Sequence, residues 1–103
     1  MSSVHDKEIV GVFHHKENKT LTIQLSNGES IVYKNIIFFL IKNLSDQNII
    51  FDIYYFDNKN IPDDIIENFP SLLSFKNSNE NYEISYIHSS VGMEGVVVSY
   101  YLN

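Results

Sequence analysis

A chain of 103 residues with thirteen acids, seven lysines, no arginine and no cysteine sets several limits at once. The net charge of −6, without arginine for forked contacts to phosphate or guanine, argues against nucleic-acid binding. Lack of cysteine removes any disulfide framework and any thiolate metal site, and suits a reducing compartment.

The length fits one domain, 1–103. Fourteen isoleucines, seven phenylalanines and seven tyrosines, with no alanine, favour sheet over helix. Twelve asparagines and the missing alanine and arginine also match the codon usage of an AT-rich gene. Residues 1–9 are polar and charged where a signal peptide would carry an apolar core. The longest apolar run, 36–41, is six residues, too short to cross a membrane. The expectation is a cytoplasmic protein without membrane contact.

In chain order, 7–14 is expected to be a strand, with Glu17-Asn18-Lys19 as a turn. Residues 20–25 alternate: Leu21, Ile23 and Leu25 share one face, Thr20, Thr22 and Gln24 the other, the period of a half-buried strand. Ser26-Asn27-Gly28-Glu29 offers the Asn-Gly pair of a tight hairpin in which both central residues take positive φ. A β-meander over 8–33 follows. Residues 33–44 fit both helical spacing (Tyr33, Ile36, Ile37, Leu40, Ile41, Leu44) and, through their β-branching, buried strand. The expectation is a strand at 30–33, then a second strand or a short helix.

Residues 49–56 are expected to be a strand ended by Asp57-Asn58-Lys59-Asn60. Pro62 fits a first helical position, with Asp63 and Asp64 in the first turn, where the helix dipole favours negative charge. Ile61, Ile65, Ile66, Phe69, Leu72 and Leu73 form its apolar stripe, and Pro70 should kink or restart the helix near Phe69. After a polar loop, 82–88 and 96–102 pair as a hairpin around Gly92 and Gly95. The fold class is α+β, mainly β: a curved antiparallel sheet or small sandwich of six to seven short strands with one helix near 62–74.

Catalytic constellations are hard to find. His14 and His15 would point to opposite faces of a strand, and His5 and His88 lie at no ligand spacing, so all four are expected at surfaces or strand ends with no metal. Ser89 and Ser90 beside His88 lack a nucleophile elbow and fit a turn. Gly92 and Gly95 mark a loop. Asp46, Asp52 and Asp57 lack the calcium-loop pattern. The chain is expected to be no enzyme and to need no cofactor.

Charge is uneven. Residues 45–67 hold six acids, Asp46, Asp52, Asp57, Asp63, Asp64 and Glu67, against Lys59 alone, for a net −5, most of the chain's −6. In the strand at 49–56, Ile49, Phe51, Ile53 and Tyr55 would share one face and Ile50, Asp52, Tyr54 and Phe56 the other. With the first face in the core, the second shows an acid flanked by aromatics, the composition of interface hot spots. With both faces covered, Tyr54 and Phe56 would instead pack under the helix. The expected partner-binding residues are Asp46, Asp52, Tyr54, Phe56, Asp57, Asp63, Asp64 and Glu67, and reversing Asp52 and Asp57 to lysine is expected to weaken binding.

Short, cysteine-free and acidic, with its acids focused at 46–67, the chain resembles in profile the immunity proteins of bacterial contact-dependent growth inhibition. The resemblance implies a cytosolic protein that binds a basic toxin domain, often a nuclease such as an RNase, one-to-one and covers its active site. Two other readings stand beside it: a phage-type inhibitor of some other host enzyme, and a β module that binds a small molecule or carbohydrate through tyrosines such as Tyr54, Tyr100 and Tyr101. A ligand module needs a concave pocket; an inhibitor needs a broad acidic face.

Overall fold

The structure, a computed structural model, describes residues 5–100. Its meander follows the sequence pattern closely. Strand β1 (Ile9–His15) pairs antiparallel with β2 (Thr20–Leu25), which pairs with β3 (Ser30–Tyr33). Leu21, Ile23 and Leu25 are buried while Thr20, Thr22 and Gln24 are half-exposed, as the alternation requires. The turn between β2 and β3 differs from the expectation. Only Gly28 takes positive φ (90°), with its N–H bonded to Leu25 O at 3.1 Å and Leu25 N–H to Glu29 O at 2.9 Å. One left-handed residue suffices because the loop is one residue longer than a two-residue hairpin.

The ambiguous segment is strand. After a turn through Asn35 (φ 56°), β4 (Ile36–Lys42) opens a second sheet with β5 (Ile49–Asp57), β6 (Tyr82–Val91) and β7 (Glu94–Tyr100), in the order β4-β7-β6-β5, all antiparallel. The fold is therefore α+β and mainly β: two antiparallel sheets totalling seven short strands, with a short helix. The segment expected at 96–102 is β7 as far as Tyr100, and its last positions lie outside the described residues.

The four-stranded sheet is covered on both faces. Against one face packs the meander, burying Ile9, Leu21, Ile23, Leu25 and Tyr33 with Ile50, Ile53, Ile87, Met93 and Val97. Against the other lies a helical layer, whose Ile61, Ile65, Phe69 and Leu72 meet Ile84, Val96 and Val98. Central β7 thus sends Val96 and Val98 to one core and Val97 to the other, which explains its continuous apolar run.

Helix α1 (Asp63–Asn68) starts one residue later than expected, with Pro62 at the cap position at ψ 145°. Pro70 restarts the chain as a 3-10 turn (Pro70–Leu72) leading into α2 (Leu73–Lys76). Leu73 is half-exposed instead of buried, and Phe75 packs on the core in its place, because the restart rotates the second piece. Buried Asn58 ties this layer down: its Nδ2 donates to Phe75 O (2.6 Å) and Glu80 O (3.1 Å), and its Oδ1 accepts from Tyr82 N–H (2.9 Å).

Candidate functional site

The helical layer is short and does not cover the whole sheet face. Alongside α1, the β5–β6 pair is left facing a cleft of about 580 Å³. Tyr54 and Phe56 from β5, Tyr86 and His88 from β6, and Pro62, Asp64, Ile65 and Asn68 from the helical layer line it.

Strand register brings the rings together. Tyr54 stands opposite Tyr86, Phe56 opposite Ile84 and Asp52 opposite His88. Directly opposed residues share a face, so alternate positions of both strands point into the cleft. The Tyr54 and Tyr86 rings stack at 6.3 Å between centroids with 21° between planes. His88 lies beside both, at 5.7 Å from Tyr86 and 6.5 Å from Tyr54, and Phe51 packs edge-on against it at 5.4 Å. The ring row continues from Phe51 to His5 at 5.2 Å.

Phe51 reaches this side through a bulge. The register slips between Ile50 and Asp52, so Ile50 and Ile53 both turn toward the meander core. The expected face of Ile50, Asp52, Tyr54 and Phe56 therefore loses Ile50, since an extra residue in one strand reverses the alternation across it. Tyr54 is 40 % exposed, whereas Phe56 is half-buried against the helical layer, so exposure and packing each apply to one of the two aromatics.

Polar groups anchor the cleft wall. Tyr86 donates its hydroxyl to Glu94 Oε2 at 3.1 Å and sits 3.1 Å from His88 Nδ1. Asn68 Nδ2 donates to Glu94 Oε1 at 3.3 Å. Lys42 donates to the Asn68 carbonyl and rests its ammonium 4.4 Å above the Phe69 ring, closing the C-terminal end of α1. Burial, then the nearby Glu94 carboxylate, pushes the Tyr86 phenol up to about 12.

Of the expected partner-binding residues, Tyr54, Phe56 and Asp64 line the cleft, and Asp52 stands at its edge beside His88. Glu67 is exposed on α1, and Asp63 pairs with Lys76 at 3.5 Å. Asp57 caps a 3-10 turn (Asn58–Asn60) by accepting Lys59 N–H at 3.0 Å. Asp46 lies apart, in a recess with Glu8–Val12. Tyr86, Asn68 and Glu94 are not among the residues the sequence singles out, and His88 is considered there only as a metal ligand or as the neighbour of Ser89 and Ser90. A signal was available: Tyr82, Ile84, Tyr86 and His88 fall on one face of a period-two strand. His88 is half-buried in the middle of β6, not at a strand end.

Comparison with protein-family models, curated proteins and solved structures finds no match. The chemistry of the cleft is then the guide. Among the described residues no three His, Asp or Glu side chains are grouped to hold a metal, and no helix is long and apolar enough to cross a membrane. No lysine lines the cleft, and Asp64 is its carboxylate. Tyrosine faces beside a carboxylate attract a cation: ring quadrupoles contribute about 0.5–2 kcal/mol to a bound ammonium or guanidinium, and the acid adds to this.

Proposed function

We propose that this chain is a binding protein that neutralises a basic protein domain by receiving one of its lysine or arginine side chains in the Tyr54–Tyr86 cleft. The observation that carries the reading is the stacked Tyr54–Tyr86 pair with Asp64 in a cleft that no lysine lines. A cleft of this size takes one side chain, while a stable complex covers roughly 800 Å² on each partner. The surface beside the cleft adds to it: Phe51 and Tyr54 are exposed, Asp52 stands opposite His88 and Asp64 lines the cleft. Charge speeds encounter and the aromatics slow release. An immunity-type role against a basic toxin domain, such as a nuclease, is the form of this reading that the acidic profile favours.

One observation favours a second reading. The volume of the cleft falls within the usual range of small-ligand pockets, roughly 300–1,000 Å³. A small organic cation would use the same tyrosine faces.

The test is to immobilise the purified chain, expose it to lysate of its source cells at low and high salt, and repeat with Tyr54→Ala and Asp64→Asn. Under the protein reading, one basic protein is held at low salt, released at high salt, and lost from both variants. Retention unchanged in both variants sinks it. A small cation bound by the wild type alone, with no protein retained, decides for the second reading.

A further inference from the structure

The edge of the four-stranded sheet opposite the cleft strand is also open, and its surroundings have the reverse charge. Strand β4 is an edge strand whose residues from Ile37 to Lys42 are all half-buried, unlike the buried run of β7. Beside it lies a groove of about 470 Å³ bordered by Ile36, Ile37, Phe38 and Phe39. Ile36 and Phe39 pack toward the meander core and Ile37 and Phe38 toward the helical one, so a groove bordered by all four runs along the open edge between the two faces.

The hydrogen-bond pattern fixes which groups face outward along that edge. Tyr100 N–H bonds to Asn35 O at 3.2 Å, so this opposed pair is of the hydrogen-bonded kind. Ile36, opposite Ser99, is then of the other kind, and its outward N–H bonds to Lys19 O at 3.0 Å. Ile37 is the bulged residue. Beyond it the alternation turns the N–H and C=O of Phe38 and Leu40 to β7 and those of Phe39 and Ile41 outward. Among the described residues nothing bonds to the outward groups of Phe39 and Ile41. Such an edge is a template for one more strand.

The groove's charge selects the occupant. Lys16, Lys19 and His14 complete its lining, and no carboxylate does. Both lysines are exposed, and neither pairs with an acid among the described residues. We infer that the β4 edge takes an extended acidic segment of a partner protein as an added strand, its backbone bonded to Phe39 and Ile41 and its carboxylates set against Lys16 and Lys19. Main-chain bonds supply affinity in this mode, and the flanking charges supply choice. The site is independent of the Tyr54–Tyr86 cleft, so either reading stands if the other fails.

The probe is a blocked peptide alternating glutamate with valine, compared with its lysine-for-glutamate counterpart and with a version N-methylated at alternate residues on the edge that would meet β4. Backbone amide exchange is followed by NMR. The glutamate peptide should slow exchange at Phe39 and Ile41, and binding should weaken about tenfold in Lys16→Glu/Lys19→Asp. Aspartate is used at 19 because this position has φ 54°, which aspartate tolerates. The N-methylated peptide should not bind, a control that leaves the protein untouched. Equal binding of glutamate and lysine peptides, binding of the N-methylated peptide, or no binding at all overturns the proposal. So does protection of Phe39 and Ile41 without peptide in a dimer detected by sedimentation, which would make a second copy the occupant.

Discussion

Tyr86 Oη donates to Glu94 Oε2 at 3.1 Å, placing a carboxylate directly behind the ring that walls the cleft. Burial and this charge both oppose the phenolate, so the phenol rises from 10.0 to about 12. A raised phenol pKa favours folding while the unfolded chain also holds its proton, below the unfolded value. The contribution is lost as pH climbs from about 10 to about 12. Urea unfolding across the alkaline range should therefore show stability falling in this window, with a shallower fall in Tyr86→Phe. Parallel pH profiles for the two proteins would refute the assignment.

Gly92, in the β6–β7 turn, has φ +78°, and an added Cβ would stand 2.3 Å from Gln47 O and 2.5 Å from Asn48 Oδ1. Asn48 itself is buried and bonds to Met93 N–H (2.8 Å), Ser45 N–H (3.0 Å) and Ser45 O (2.7 Å), joining the β4–β5 loop to this turn. Gly92→Ala combines positive φ, worth about 1–3 kcal/mol, with a backbone clash. It should destabilise by more than about 2 kcal/mol in chemical denaturation, and a neutral effect would mean that the turn relaxes freely.

How far the sequence reveals the fold depends on whether local pattern or register decides. Period-two alternation at 20–25 and the prolines at 62 and 70 are local signals, and both appear in the structure within a residue. The bulge at Phe51 is not local: it depends on how β5 meets Ser89 and His88, and no period reports it. The cleft shares this property. Tyr54 and Asp64 were legible as aromatic and acid in an acidic stretch, but Tyr86 and His88 join them only through cross-strand pairing over some thirty residues. Asp46 shows the converse, since nearness in sequence to the other acids places it in a different recess.

Asn58 has all its amide positions engaged, by two carbonyls and one N–H from the far side of the helical layer. Truncation to alanine leaves three backbone groups without their partner in a buried site. Each unsatisfied group costs about 1–3 kcal/mol, offset where water enters. Asn58→Ala should thus cost at least about 3 kcal/mol and expose the segment from Asn58 to Tyr82 to proteolysis before the sheets. A loss under about 1 kcal/mol would show the anchor to be dispensable.

Asp52 and Asp57 lie in one acidic stretch yet should separate by experiment. Asp52 stands beside His88 at the cleft edge, and among the described residues its Oδ1 accepts the N–H of the next residue, Ile53, at 2.8 Å. Asp57 caps the following 3-10 turn. Asp52→Lys should weaken capture of a basic partner and leave thermal stability near wild type. Asp57→Lys should lower stability by about 1 kcal/mol, as lost caps do. Equal effects of both on binding, with stability unchanged, would argue for a diffuse field in place of a localised surface.

Between the two sheets, Tyr33 Oη and Ser85 Oγ are buried without a hydrogen bond of normal geometry. Burial, with Tyr55 adding to it, raises the Tyr33 phenol well above its ordinary value. A buried hydroxyl without a good partner loses its hydration for little return, about 1–3 kcal/mol. Tyr33→Phe keeps the ring that packs against the meander core and removes only the oxygen. It should be neutral or stabilising by up to about 1 kcal/mol, and Ser85→Ala likewise. Because the Ser85 hydroxyl acts directly on the Tyr33 phenol, the double variant should gain more than the sum of the singles. A clear loss of stability in Tyr33→Phe would mean that its hydroxyl is bonded in solution, and the double-variant cycle would then show whether Ser85 is the partner.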